Sequence, residues 1–117
     1  MIAHVVLFRL KRDLAEDARR ELRSALLAAL REIPSIRRLQ VGPRVTHGRP
    51  YERLMDVDYP FVVMLEFDDI TGLRLYLDHP VHERLATQFF AAFDQALMYD
   101  FELRDGEEGL ATIDDGR

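Results

Sequence analysis

Two of the four histidines stand three residues apart in Leu75-Tyr76-Leu77-Asp78-His79-Pro80-Val81-His82-Glu83, with a tyrosine just upstream. Pro80 cannot continue a helix from the residues before it, but it suits the first turn of a new one. One helix is therefore expected to stop near Asp78 and another to start at Pro80. His79 then lies at the junction and His82 in the first turn of the second helix. The positive end of a helix dipole disfavours protonation of His82, which leaves an imidazole able to take and give protons near neutral pH. Tyr76 could hydrogen-bond a substrate carbonyl or phenol, or simply form part of a wall.

A third histidine, His4, shares an alternating face with Ile2, Val6 and Phe8. A buried ring nitrogen left unsatisfied costs roughly 1–3 kcal/mol. His4 is therefore either satisfied by hydrogen bonds or one half of a histidine pair across a pocket, and both readings stay open. His79 reads as a junction cap before it reads as a catalyst. His4, His79 and His82 could together hold a divalent ion, but no carboxylate is evidently placed to join them, so no metal site is expected. Phe89, Phe90 and Phe93 read as helix core, and His47 and Tyr51 as solvated loop residues.

The elements that must position these groups follow from the pattern of apolar residues. Ile2 to Leu10 reads as a strand apolar on both faces, hence central in its sheet. Asp13 and Glu16 have the spacing of a capping box. Leu14, Ala18, Leu22, Ala25, Leu26, Ala29, Leu30 and Ile33 then form an amphipathic helical stripe that Pro34 ends. Ile36 to Thr46 reads as a more polar strand that Gly42-Pro43 assigns to a sheet edge. A polar connection runs from His47 to Asp58. Tyr59 to Phe67 is a second strand apolar on both sides. Asp68 or Asp69 caps a short helix through Leu77. Leu85, Phe89, Phe93 and Leu97 space a longer helix at intervals of four, and Met98 to Leu103 reads as the last strand.

The order strand, helix, strand, strand, helix, strand is the split βαβ arrangement: an α+β, ferredoxin-like protomer with a four-stranded antiparallel sheet. Two helices cover only one face of such a sheet. The other is expected to present Val5, Leu7, Val62, Met64, Leu39, Val41 and Val45, an area a monomer should not leave wet. Two copies packed sheet against sheet would bury it and form a barrel.

The chain has 117 residues, one domain by length, with an ordinary 48% hydrophobic content. It has no cysteine, which excludes a disulfide framework, a thiolate zinc site and a cysteine nucleophile. No leader-like segment or membrane-spanning apolar run stands out, so a soluble cytoplasmic protein is expected. The net charge is −5. Asp105, Glu107, Glu108, Asp114 and Asp115 against Arg117 place −4 of it in residues 105–117, and residues 1–104 are left with −1. A near-neutral body argues against a nucleic-acid partner. The acidic tail, 105–117, is expected to be poorly ordered.

The sequence resembles the stress-responsive A/B barrel (Dabb, dimeric α/β-barrel) family over residues 2 to 103. The carriers are His4-Val5-Val6-Leu7-Phe8-Arg9-Leu10, Ile33-Pro34, Val41-Gly42, the strand ending in Glu66-Phe67, Tyr76-x-x-His79-Pro80-x-His82, and Tyr99-Asp100-Phe101. The resemblance implies a ferredoxin-like protomer that dimerises through its sheets. One member, the plant olivetolic acid cyclase, closes a polyketide by aldol condensation without metal or cofactor. Similarity to it implies His4, Tyr76 and His82 as the working residues. Leu26 stands where that cyclase has a further pocket tyrosine, so this pocket is more apolar and the substrate differs.

The expected function is a homodimer with a small apolar pocket that binds a small carbonyl or polyphenolic compound, or does cofactor-free acid-base chemistry on it. His4, Tyr76 and His82 would be catalytic, with His79, Phe8, Leu26 and Phe89 binding. The alternative is a non-enzymatic stress or assembly protein whose histidines serve packing. Heme or oxygen chemistry is a weaker third reading, since nothing marks a cofactor site.

Overall fold

A computed structural model describes residues 1–115. Four strands, β1 (Ile2–Leu10), β2 (Arg38–Pro43), β3 (Phe61–Phe67) and β4 (Phe93–Glu102), form one antiparallel sheet in the order β2-β3-β1-β4. The two strands apolar on both faces, β1 and β3, are the central pair, as their composition requires. Helices α1 (Glu16–Glu32), α2 (Ile70–Asp78) and α3 (Pro80–Ala92) supply the cover, and α4 (Gly106–Asp115) follows the sheet. No described helix is long and apolar enough to cross a membrane.

Alternation decides what each strand residue meets. Val6 and Phe8 of β1, and Val63, Leu65 and Phe67 of β3, are buried with Leu22, Ala25 and Ala29 of α1, Leu73 and Tyr76 of α2, and Leu85 and Ala92 of α3. Val5 pairs with Met64 and Tyr99, and Leu7 pairs with Val62 and Leu97, on the opposite face. Leu39 and Val41 do not join that second face, contrary to expectation. Their cross-strand partners are Leu65 and Val63, so they lie on the helix side, and Gln40 faces out beside Met64. The outer face gains its apolar area from β4 instead, where Leu97, Tyr99 and Phe101 are exposed.

Several boundaries also move. Helix α1 starts at Glu16 behind Ala15, with no side-chain cap. Asp13 is spent in the turn closed by the Leu14 N–H on the Lys11 carbonyl, and Glu16 pairs with Arg23 at 3.1 Å. Helix α3 ends at Ala92, and Phe93 and Leu97 belong to β4. A spacing of four residues is even, so it fits one face of a strand as well as one face of a helix. The Lys11 N–H donates to the Ala92 carbonyl at 2.9 Å and holds the changeover beside the end of β1. The tail differs most: 106–115 is helical, although none of its side chains is buried. Residues 116–117 lie outside the described residues.

Phe67 is fully buried between sheet and helices. Phe67→Ala is expected to cost about 3–5 kcal/mol in urea unfolding. A loss below about 1 kcal/mol would mean that this packing is looser than described.

Candidate functional site

Between the helices and the sheet lies a cavity of about 270 Å³. Strand alternation brings His4, Val6 and Phe8 of β1 to its floor, with Val63 and Leu65 of β3 and Met98 of β4. Helix α1 contributes Leu22 and Leu26, helix α2 Tyr76 and Leu77, and helix α3 His82, Leu85, Ala86, Phe89 and Phe90. The cavity meets solvent beside Leu77, Phe90 and Met98, the exposed members of the set. Of the residues singled out from sequence, His4, Tyr76, His82, Phe8, Leu26 and Phe89 all line it.

His79 does not line it. The residue sits between α2 and α3, and its Nδ1 accepts the Val81 N–H at 3.1 Å, which caps α3. Pro80 fixes the first turn behind that cap. The same junction sets the position of His82, whose N–H reaches the His79 carbonyl at 2.9 Å. His4, His79 and His82 therefore do not converge, and among the described residues no group of three potential ligands is arranged to hold a metal ion.

Three polar side chains cluster at one end of an otherwise apolar space. The Tyr76 ring meets His82 edge-on, centroids 4.6 Å apart, and lies 5.9 Å from the His4 ring. Tyr76 also leans on Phe67 at 5.3 Å, which fixes the ring from behind. Among the described residues only Ser35 Oγ is both sealed from solvent and unpartnered. The Tyr76 hydroxyl, which has no hydrogen-bond partner among the described residues, is thus open to the cavity. Burial, and then the Asp100 charge, push that hydroxyl well above the usual phenol value and keep it protonated.

Asp100 was not singled out from sequence. Its residue in β1 across the ladder is His4, and its Oδ1 lies 2.6 Å from His4 Nδ1. A carboxylate only accepts, so His4 Nδ1 carries a proton. An alternating face of Met98, Asp100 and Glu102 was legible, but the pairing of residues 96 apart was not. For His82, burial first and His4 second lower the imidazole below its ordinary range, while the Leu77 carbonyl opposes them. The neutral form expected from the helix start is held mainly by desolvation.

The depressed His82 sets the direction of a pH response. The fold resists its protonation, so the stability present above the unfolded imidazole pKa, about 6.5, is lost as pH falls through the folded His82 value. In an NMR titration His82 is expected to protonate below free histidine, and His4→Phe should move it upward by removing a neighbouring positive charge. A His82 titrating at or above free histidine would contradict this environment.

With this geometry in view, the comparisons with known proteins are informative. The family model described as the stress responsive A/B barrel domain, Dabb, matches residues 2–103. A dimeric ferredoxin-like protein from Thermobifida fusca is 24% identical, with TM-score 0.67, and the match covers 87% of this chain and 90% of that one. A Dabb family protein from Mesorhizobium loti is 21% identical, with TM-score 0.68 and coverages of 89% and 97%. A hydroxynitrile lyase from Passiflora edulis is 13% identical, with TM-score 0.75 and coverages of 90% and 94%. No curated protein matches the sequence. The structural likenesses speak to the fold, and the family model speaks to descent: this chain belongs to the stress responsive A/B barrel domain family.

Proposed function

We propose that this protein is a homodimer whose protomers each bind a small carbonyl or polyphenolic compound in the cavity and act on it by acid-base chemistry without a cofactor. The observation that carries this reading is the convergence of His4, Tyr76 and His82 on one apolar space of about 270 Å³. A cavity of that size suits a single ring or a short chain. Among the described residues no lysine or arginine lines it, so a neutral ligand fits better than a phosphate or a carboxylate.

In the enzymatic version His82, kept neutral, removes a proton α to a carbonyl. Tyr76 donates a hydrogen bond to the carbonyl oxygen and stabilises the charge that develops there. His4 orients the substrate or shuttles the proton through Nε2, with Asp100 fixing its tautomer. Proton transfer by a positioned side chain contributes about 10²–10⁴-fold. The Passiflora lyase is built on a similar fold, which agrees with small-molecule chemistry on this scaffold. A cytoplasmic setting suits a chain with no disulfide to protect.

A direct check is exchange of α-protons of a small β-dicarbonyl in D₂O, followed by NMR. The protein is expected to accelerate it, and His82→Ala to lose about 10²-fold of that acceleration with the fold intact. No acceleration, together with unmoved histidine resonances, would favour the second reading, a non-enzymatic stress or assembly protein whose histidines serve packing.

The dimer is proposed through the outer sheet face. Val5, Leu7, Val62 and Met64 lie there beside Leu97, Tyr99 and Phe101, and none of the three helices on the sheet covers them. Dimeric relatives of similar fold support self-association. Val62→Asp combined with Met64→Asp should yield folded monomers in sedimentation velocity. Dimers that persist unchanged would refute this interface.

A further inference from the structure

Gly42 does nothing for its own protomer. It lies inside β2, where a glycine loses chain entropy and offers no side chain to pack. Its φ is not positive, so an ordinary residue could adopt the same conformation. A Cβ built there meets nothing within 4 Å, so no neighbour in the chain needs the space. The space lies on the outer face, where Gly42 pairs with Val62 across the ladder. Val62 and Arg44, its neighbours on that face, line a hollow of about 380 Å³ with Leu7, Met55, Val57 and Tyr59. Arg44 is tied to Asp58 at 2.6 Å. A glycine that neither its backbone nor its own packing requires marks a place where another molecule comes close.

We propose that Gly42 is the floor of a socket for a second copy of this chain, and that the socket receives the partner's Leu97. This rests on the sheet-to-sheet dimer proposed above. Strands of two packed sheets run within about 30° of one another, so the two-fold axis lies either along the strands or across them. The registers fix what each axis brings together. On the outer face β2 presents Arg38, Gln40, Gly42 and Arg44, while β4 presents Gln95, Leu97, Tyr99 and Phe101. An axis across the strands lays β2 on the partner's β2 and β4 on the partner's β4. Large apolar side chains then crowd one edge, and arginines and glycines of both copies share the other, with like charges together. An axis along the strands lays each β4 on the partner's β2. Rotation about the strand direction keeps every residue at its own level. Gly42, Val62, Leu7 and Leu97 occupy one level of the sheet. Leu97 therefore meets Gly42, and Leu7 meets Val62. A bulky strand covers a flat one, and the space between the sheets fills evenly, as close packing requires. The same seat bears on the cavity. Met98 and Asp100, between and beside the residues of β4 so covered, reach the cavity and His4 from the other face of that edge strand.

The test uses the full chain in sedimentation equilibrium. Gly42→Leu should raise the dimer dissociation constant at least tenfold, and adding Leu97→Ala should recover most of the loss, because the large and small residues have changed places. In the monomeric Val62→Asp, Met64→Asp background, Gly42→Leu should leave the urea midpoint unchanged or higher. A lower midpoint would mean that the glycine serves its own chain, and would overturn the socket. Amide exchange in β4 should quicken when the wild type is diluted below its dissociation constant, and exchange that ignores dilution would overturn the seat on β4. The sequence has no cysteine. A bis-maleimide spanning about 10 Å, the spacing of packed sheets, should therefore join Gly42→Cys chains to Leu97→Cys chains in a mixture. Leu97→Cys chains joined to one another instead would put the axis across the strands and refute the proposal. A dimer whose dissociation constant ignores Gly42→Leu would also refute it and leave the sheet interface standing. A wild type that sediments as a single chain would remove the sheet dimer and the socket together.

Discussion

The sheet's two apolar faces constrain everything else in this molecule. A strand with period two sends alternate residues to opposite sides, and β1 and β3 are apolar on both. Three helices cover one side. A slip of one residue in β1 would carry His4 to the outer face and bring Val5 to the cavity. Register therefore decides the chemistry as much as residue type does. It places a basic ring opposite Asp100 on one side and a greasy patch on the other.

The site draws its properties from the same burial that stabilises the fold. An apolar wall of Phe8, Leu22, Leu26, Leu85 and Phe89 keeps His82 neutral and Tyr76 protonated. In such surroundings a hydrogen bond to a reacting oxygen is stronger than in water. Asp100 reaches His4 from the exposed edge of the sheet and fixes one ring nitrogen without filling the cavity. Leu26 keeps that wall apolar, and among the described residues His4, Tyr76 and His82 are the polar side chains that line the cavity. The break at Pro80 gives two well-ordered helices a corner, and His79 is used up in capping it.

Much of this was legible in the sequence, because the signals were strong and local. Two strands apolar on both faces had to be central, and Pro80 after His79 had to break a helix. Asp69 does cap α2, accepting the Gly72 N–H at 2.9 Å. What was not legible depended on partners far away in the chain. Leu39 and Val41 changed face because their side is set by register with β3, not by their own alternation. Asp100 became part of the site only through the ladder with β1. Phe93 and Leu97 fitted both periods, and only the hydrogen bond from Lys11 to Ala92 shows where the helix gives way. The final helix has two large apolar residues among acids and glycines, too few to signal an element with no core to join.

The central claim is that one strand separates a ligand cavity from a subunit interface. A crystal structure of the protein soaked with a small β-dicarbonyl tests it most directly. The account predicts density for the compound within hydrogen-bond reach of Tyr76 and His82, and a second copy covering Val5, Leu7, Val62 and Met64. A cavity filled by its own side chains, or an outer sheet face left bare to solvent, would contradict it.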